Sequence, residues 1–74
     1  MLISVKDRNN KLFVKDILAI SFDMSVECDE QGFFVKLNSA YRLAEYYSSQ
    51  DEAEEKMLAL ASERNREEEE LKNY

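Results

Sequence analysis

The chain has no proline, no histidine and no tryptophan, and only one glycine and one cysteine among its 74 residues. Each absence removes a class of function. Without histidine the usual general base and the commonest zinc ligand are missing. One cysteine cannot close an internal disulfide, and one glycine cannot build a phosphate-cradling loop. Long apolar runs are missing too. Ile17 to Ile20 and Met57 to Ala61 are the longest, far below the roughly 20 residues that cross a bilayer. Met1 leads straight into a strand-like alternation, with no basic region, apolar segment or small-residue cleavage site, so a cytoplasmic location with a reduced thiol is expected. Basic charge is scarce: ten Lys and Arg stand against 16 Asp and Glu, a net charge of −6, which disfavours direct nucleic-acid binding.

What remains is enough for one small folded domain. Apolar residues make up 45% of the chain and charged residues 35%, a composition that folds and stays in solution. At this length the core yields only a few kcal/mol of net stability, so burial must supply it, with help from self-association where it occurs.

The longest pattern is the alternation of Leu18, Ile20, Phe22, Met24, Val26 and Cys28 with Ala19, Ser21, Asp23, Ser25 and Glu27. A period of two predicts a strand of about 33 Å with one dry face. Cys28 closes that alternation and is expected as a buried thiol rather than a nucleophile. Upstream, Met1, Ile3 and Val5 read as a first strand, Asp7-Arg8-Asn9-Asn10 as a turn, and Leu12 and Val14 as a return on the dry parity of the long strand. A bend or bulge is expected near Lys15-Asp16. Downstream, Asp29-Glu30-Gln31-Gly32 is a turn that pairs Cys28 with Phe33, Val26 with Val35 and Met24 with Leu37. Asn38-Ser39-Ala40 reads as a second turn, setting Tyr41 opposite Leu37 and Leu43 opposite Val35. The same parity also permits an unbroken strand, with Ile20 meeting Tyr41.

Helical period begins after Ser48-Ser49. Ser49 and Glu52 have capping-box spacing, and Asp51, Glu52, Glu54 and Glu55 sit where the helix dipole favours negative charge. Ala53, Met57, Leu60 and Ala61 form one apolar stripe. The expected architecture is therefore α+β: an antiparallel meander of about four strands in residues 1–47, a packed helix over 49–62, and an acidic helical extension or frayed tail over 63–74.

No catalytic residue, metal site or cofactor is expected. Carboxylates on a solvated helix face lack the apolar walls that shift a pKa, and no acidic run has the spacing of a calcium loop. Two surfaces are left for function. The first is acidic: nine of the 16 acids but only four bases follow residue 49, and Glu54, Glu55, Glu63, Glu67, Glu68, Glu69 and Glu70 are candidates for contact with a basic protein partner, such as a nucleic-acid-binding protein. The second is the wet face of the sheet, where Phe13, Ile17, Ala19, Phe34, Ala44 and Tyr46 share parity; Phe13, Phe34 and Tyr46 are candidates for a self-association face. Both describe an interaction module, not an enzyme.

The run Tyr41-Arg42-Leu43-Ala44-Glu45-Tyr46-Tyr47-Ser48-Ser49, followed by Ala53 and Met57, resembles small proteins of low-GC Gram-positive bacteria and their phages. In these an aromatic-rich strand ends in Tyr-x-Ser and leads into an Ala- and Glu-rich helix. The match is through Tyr47 and Ser49, with Leu43 one place earlier than the pattern's leucine. The resemblance implies an antiparallel sheet of about four strands with a C-terminal helix and a phage or mobile-element setting, in which small acidic proteins include inhibitors of nucleic-acid enzymes. It carries over no functional residues.

Overall fold

The computed structural model describes residues 1–72. They form β1 (Leu2–Lys6), β2 (Leu12–Asp16), one turn of 3-10 helix (Ile17–Ala19), β3 (Ser25–Asp29), β4 (Gly32–Lys36), β5 (Arg42–Leu43) and α1 (Gln50–Lys72). The strands make one antiparallel sheet in the order β2-β1-β5-β4-β3. The helix packs on one face of it, against β4, β3 and the 3-10 turn. The fold is therefore α+β as expected, with a fifth strand, but the sheet is not a simple meander: β5 returns to pair with β1, which leaves β2 and β3 at opposite edges.

Each turn is held by a side chain that substitutes for missing backbone partners. In the first hairpin Asp7 Oδ1 accepts from the amides of Asn9 (2.8 Å) and Lys11 (3.0 Å), and Asn10 takes φ 63°, a left-handed conformation that asparagine tolerates. In the third, Asn38 Oδ1 accepts from the amides of Ala40 and Tyr41, while Leu37 N–H donates to Tyr41 O at 2.9 Å. The Asn38 turn thus sets the register Lys36↔Arg42, and the alternative of an unbroken strand through Asn38 does not occur. The Gly32 hairpin pairs Cys28 with Phe33 and Val26 with Val35 as the pattern requires.

The long alternation is not one long strand. Asp16 ends β2 by accepting from Leu18 N–H at 2.9 Å and capping the 3-10 turn, which is the expected bend. From Ile20 to Met24 the chain is outside the ladder. Asp23 N–H donates to Leu37 O at 2.7 Å, and the Asn38 side-chain amide takes the Ser21 carbonyl. Met24 is consequently not a ladder partner of Leu37. The alternation is still an alternation of burial: Ile20 is buried, and Leu18, Phe22, Met24 and Val26 pack against the core. Cys28 lies past the covered area and is exposed, contrary to its expected burial.

The bend also changes the parity of β2. Val5 pairs with Phe13, and Ser4 with Val14, so Phe13 faces the helix side while Leu12 and Val14 face outward. Ile17, placed by parity on the wet face, is fully buried. The core is completed by Val5, Val35, Leu37 and Leu43 from the sheet, Ile20 from the connector, and Ala53 and Leu60 from the helix.

The helix starts where the capping box placed it. Ser49 Oγ accepts from Glu52 N–H at 3.2 Å, and the Glu52 carboxylate reaches back to Ser48, whose hydroxyl donates at 3.0 Å. It then continues past Ser62 to Lys72. Twenty-three residues span about 34 Å at 1.5 Å each. Two contacts secure the second half: the Arg64 guanidinium lies 4.4 Å from the Phe22 ring centroid, and Glu67 pairs with the Met1 amine. Of the segment read as extension or frayed tail, residues 63–72 are helix, and 73–74 lie outside the described residues.

Candidate functional site

The seven candidate glutamates divide by their partners. Glu54 accepts from the Gln50 side-chain amide at 3.0 Å. Glu63 pairs with Arg66, Glu67 with the Met1 amine, and Glu68 with Arg64 at 3.4 Å. Glu55, Glu69 and Glu70 are exposed and carry no ion pair among the described residues. The helix therefore spends much of its acid on its own bases and on the fold.

The sheet face away from the helix is different in kind. Its side chains follow from the ladder: Leu12, Val14 and Asp16 on β2; Leu2, Ser4 and Lys6 on β1; Arg42 on β5; Phe34 and Lys36 on β4; Ser25, Glu27 and Asp29 on β3. Leu2, Leu12 and Val14 are 69%, 58% and 63% exposed. Leu12 and Val14 are neighbours along β2, and Leu2 lies diagonally across from Val14 on β1, so the three line the β2–β1 side of the face.

Of the three expected association residues, Phe34 and Tyr46 meet on this face, edge to face with ring centroids 5.9 Å apart. Phe13 does not join them. The first hairpin's register turns it to the other side, where its ring stands 6.2 Å from Tyr41 and Lys15 Nζ lies 4.7 Å from the Tyr41 ring centroid. Tyr46 reaches the face through a bulge. The five-residue step from Arg42 to Tyr47 lies against the three-residue step from Lys36 to Phe33, which frees Tyr46 to turn its hydroxyl to Asp29 Oδ2 at 2.8 Å.

One feature of the face was not expected from sequence. Lys6 is the register partner of Arg42, and Arg42 of Lys36, so three bases lie in one rung across β1, β5 and β4 at about 4.8 Å spacing. Like charges directly opposite one another on adjacent strands are destabilising. The offsets are partial. The Arg42 guanidinium lies 5.0 Å from the Phe34 centroid and 5.2 Å from that of Tyr46, its Nη2 donating to Asn10 Oδ1 at 2.7 Å while Nη1 has no hydrogen-bond partner. Lys36 pairs with Glu27 at 3.7 Å. Around this rung is a shallow groove of about 200 Å³, lined by Lys6, Arg8, Phe34, Lys36 and Arg42 with Asp7 and Glu27. The Lys36–Arg42 pair was derivable from the Asn38 turn. Lys6 was not, because no local signal pairs β1 with β5.

Titration around the Gly32 turn, at the other end of the sheet, is set by Asp29 and the two tyrosines. The Gln31 amide, then the Tyr46 hydroxyl, hold the Asp29 carboxyl below its ordinary range, and the bond to Asp29 raises Tyr46. Burial, followed by the hydrogen bond to Glu45, pushes the Tyr47 phenol well above its ordinary value of 10. The neutral phenol is the form the fold favours, so this stability is complete below pH 10 and is lost as pH rises beyond it. Urea unfolding followed above pH 10 should show a steeper loss of stability in the wild type than in Tyr47→Phe, and equal slopes would contradict this.

Among the described residues no cluster of three or more acidic, cysteine or histidine side chains is placed to hold a metal ion, and no helix is long and apolar enough to cross a membrane. Compared with family models, with curated proteins and with solved structures, the chain matches none.

Proposed function

We propose that this protein is a non-enzymatic protein-interaction module whose principal contact surface is the open sheet face centred on Phe34. The observation that carries this reading is the exposure of Leu2, Leu12 and Val14 on the same sheet face as the Phe34–Tyr46 pair, across β5 from it. A domain of this size has few apolar residues to spare from its core. A cytoplasmic, reducing setting is part of this proposal. A second reading keeps the acidic helix as the docking surface for a basic partner, such as a nucleic-acid-binding protein, and rests on the exposed Glu55, Glu69 and Glu70. It has fewer free charges than the sequence promised.

The two readings separate by mutation. Phe34→Asp should weaken association, with itself or with a partner identified by affinity capture, by at least about tenfold, the scale of an interface hot spot. The double substitution Glu69→Lys with Glu70→Lys should leave it unchanged. The opposite pattern would transfer the function to the helix.

A further inference from the structure

The open sheet face carries opposite charge at its two ends. The end beside the Asp7–Lys11 and Asn38–Ala40 turns holds the rung Lys6, Arg42 and Lys36, and the other end holds Asp16, opposite Leu2, and Asp29, opposite Gly32. Four residues along each strand separate them, or about 13 Å. The rung between contains Val14, Ser4, Phe34 and Glu27, with Ala44 beside Ser4 through its backbone amide, and Glu27 there pairs with Lys36 of its own chain at 3.7 Å.

We propose that the face is closed by a second copy of the same chain, in a two-fold dimer that sets each copy's basic rung over the other's acidic end. This rests on the reading of the open face as the contact surface and names its occupant. The geometry follows from the pattern. Rotation by 180° about an axis lying along the central rung, midway between two copies, brings the open faces together with strand directions reversed. β1 and β2 then face β1 and β2 of the second copy, so Lys6 comes over the neighbourhood of Asp16, and on the far side Lys36 comes over that of Asp29. Every such pair occurs twice, as an isologous contact requires. Val14 and Phe34 lie on the axis at the centre of an aligned sheet-on-sheet packing, with Leu2 and Leu12 on either side, against Lys6 and Asp16 of the second copy.

Charge selects this arrangement over its competitors. Rotation about an axis parallel to the strands would instead lay basic rung on basic rung. A nucleic acid or other polyanion could use the basic rung, but it would leave the exposed leucines uncovered and would meet Asp16 and Asp29 at the far end. Five strands at about 4.8 Å and five residues at about 3.3 Å give each copy roughly 400 Å² of sheet before side-chain relief is counted. Such an area lies at the small end of specific interfaces, so the dimer should be reversible and concentration-dependent.

The test is exchange of charge in trans, read by sedimentation equilibrium up to millimolar concentration. The wild type should dimerise. Lys6→Glu alone and Asp16→Lys alone each set like charges together at two symmetric sites and should weaken dimerisation about tenfold. An equimolar mixture of the two variants places unlike charges at every crossed pair and should restore association as a heterodimer. Asp16 also caps the 3-10 turn and Asp29 holds the Gly32 turn, so folding of each variant is checked by circular dichroism, and Lys36→Glu with Asp29→Lys repeats the test on the other side. A monomeric wild type, or a mixture no tighter than its components, would overturn the dimer. Loss of a different, identified partner on Phe34→Asp in a monomeric protein would overturn the dimer alone and leave the contact surface standing. A monomer whose partners are unaffected by Phe34→Asp would overturn both.

Discussion

Leu60→Ala should remove about 3 kcal/mol of folding stability, whereas Leu58→Ala, two residues away on the same helix, should cost a few tenths at most. Leu60 is 2% exposed and Leu58 64% exposed. The two leucines have the same helix propensity, so their difference isolates burial. Leu60 is the largest buried side chain contributed by the helix, which otherwise buries only Ala53. Its loss leaves a cavity between the helix and the sheet. The polar contacts one and two turns beyond it, Arg64 over Phe22 and Glu67 at the Met1 amine, hold the helix backbone in place and resist collapse into that space. A domain of this size has about 4–11 kcal/mol in total, so the loss should shift a denaturation midpoint plainly. Urea unfolding of both variants checks it. Equal effects would mean that the helix is held by its ends and not by its apolar stripe.

The same contrast between local and distant causes explains how much of this fold could be read in advance. The Gly32 hairpin, the Asn38 turn and the Ser49 cap were legible because each is decided within ten residues, by parity, by turn chemistry or by a capping box. The parity of β2 was not. Leu12 and Val14 share the period of Leu18 and Ile20, and that period holds only while the chain stays extended. Asp16 and the 3-10 turn break it, which puts Phe13 and Ile17 inside and Leu12 and Val14 outside. Burial of Ile20 to Val26 was read correctly and their strand was not, because alternation reports which way side chains point and not whether a neighbouring strand takes the backbone hydrogen bonds. Whether the segment after Ser62 is a helical extension or a frayed tail stays open in the sequence for a related reason. Arg64 and Glu67 looked like solvated charges, yet the partners they find, Phe22 and the Met1 amine, come from distant parts of the chain. The candidate site follows this division. Phe34 and Tyr46 were visible, and the basic rung became visible only when β1 was placed beside β5.

Gly32→Ala should cost about 2–3 kcal/mol, the scale of a residue forced into glycine-only backbone, and the damage should extend to the open face. Gly32 has φ 138°, and a Cβ built there would stand 2.9 Å from the carbonyl oxygen of Tyr47. That oxygen is not free to yield. It accepts from Phe33 N–H at 3.0 Å, and Tyr47 N–H returns a bond to Phe33 O at 2.7 Å. This reciprocal pair is what stitches the segment after β5 back to β4 beyond the bulge, three residues before the helix begins. A methyl group must therefore either break the pair or rotate the turn. In both cases Tyr46, whose ring stands against Phe34 and whose hydroxyl donates to Asp29, loses the backbone that positions it. The variant should accordingly show exchange protection falling first at the Phe33 and Tyr47 amides, with the Val26–Val35 ladder protected until global unfolding. A uniform loss of protection would show that the turn and the bulge are not a separate unit. Unchanged stability would show that the chain can tilt Gly32 out of its left-handed conformation without moving Tyr47.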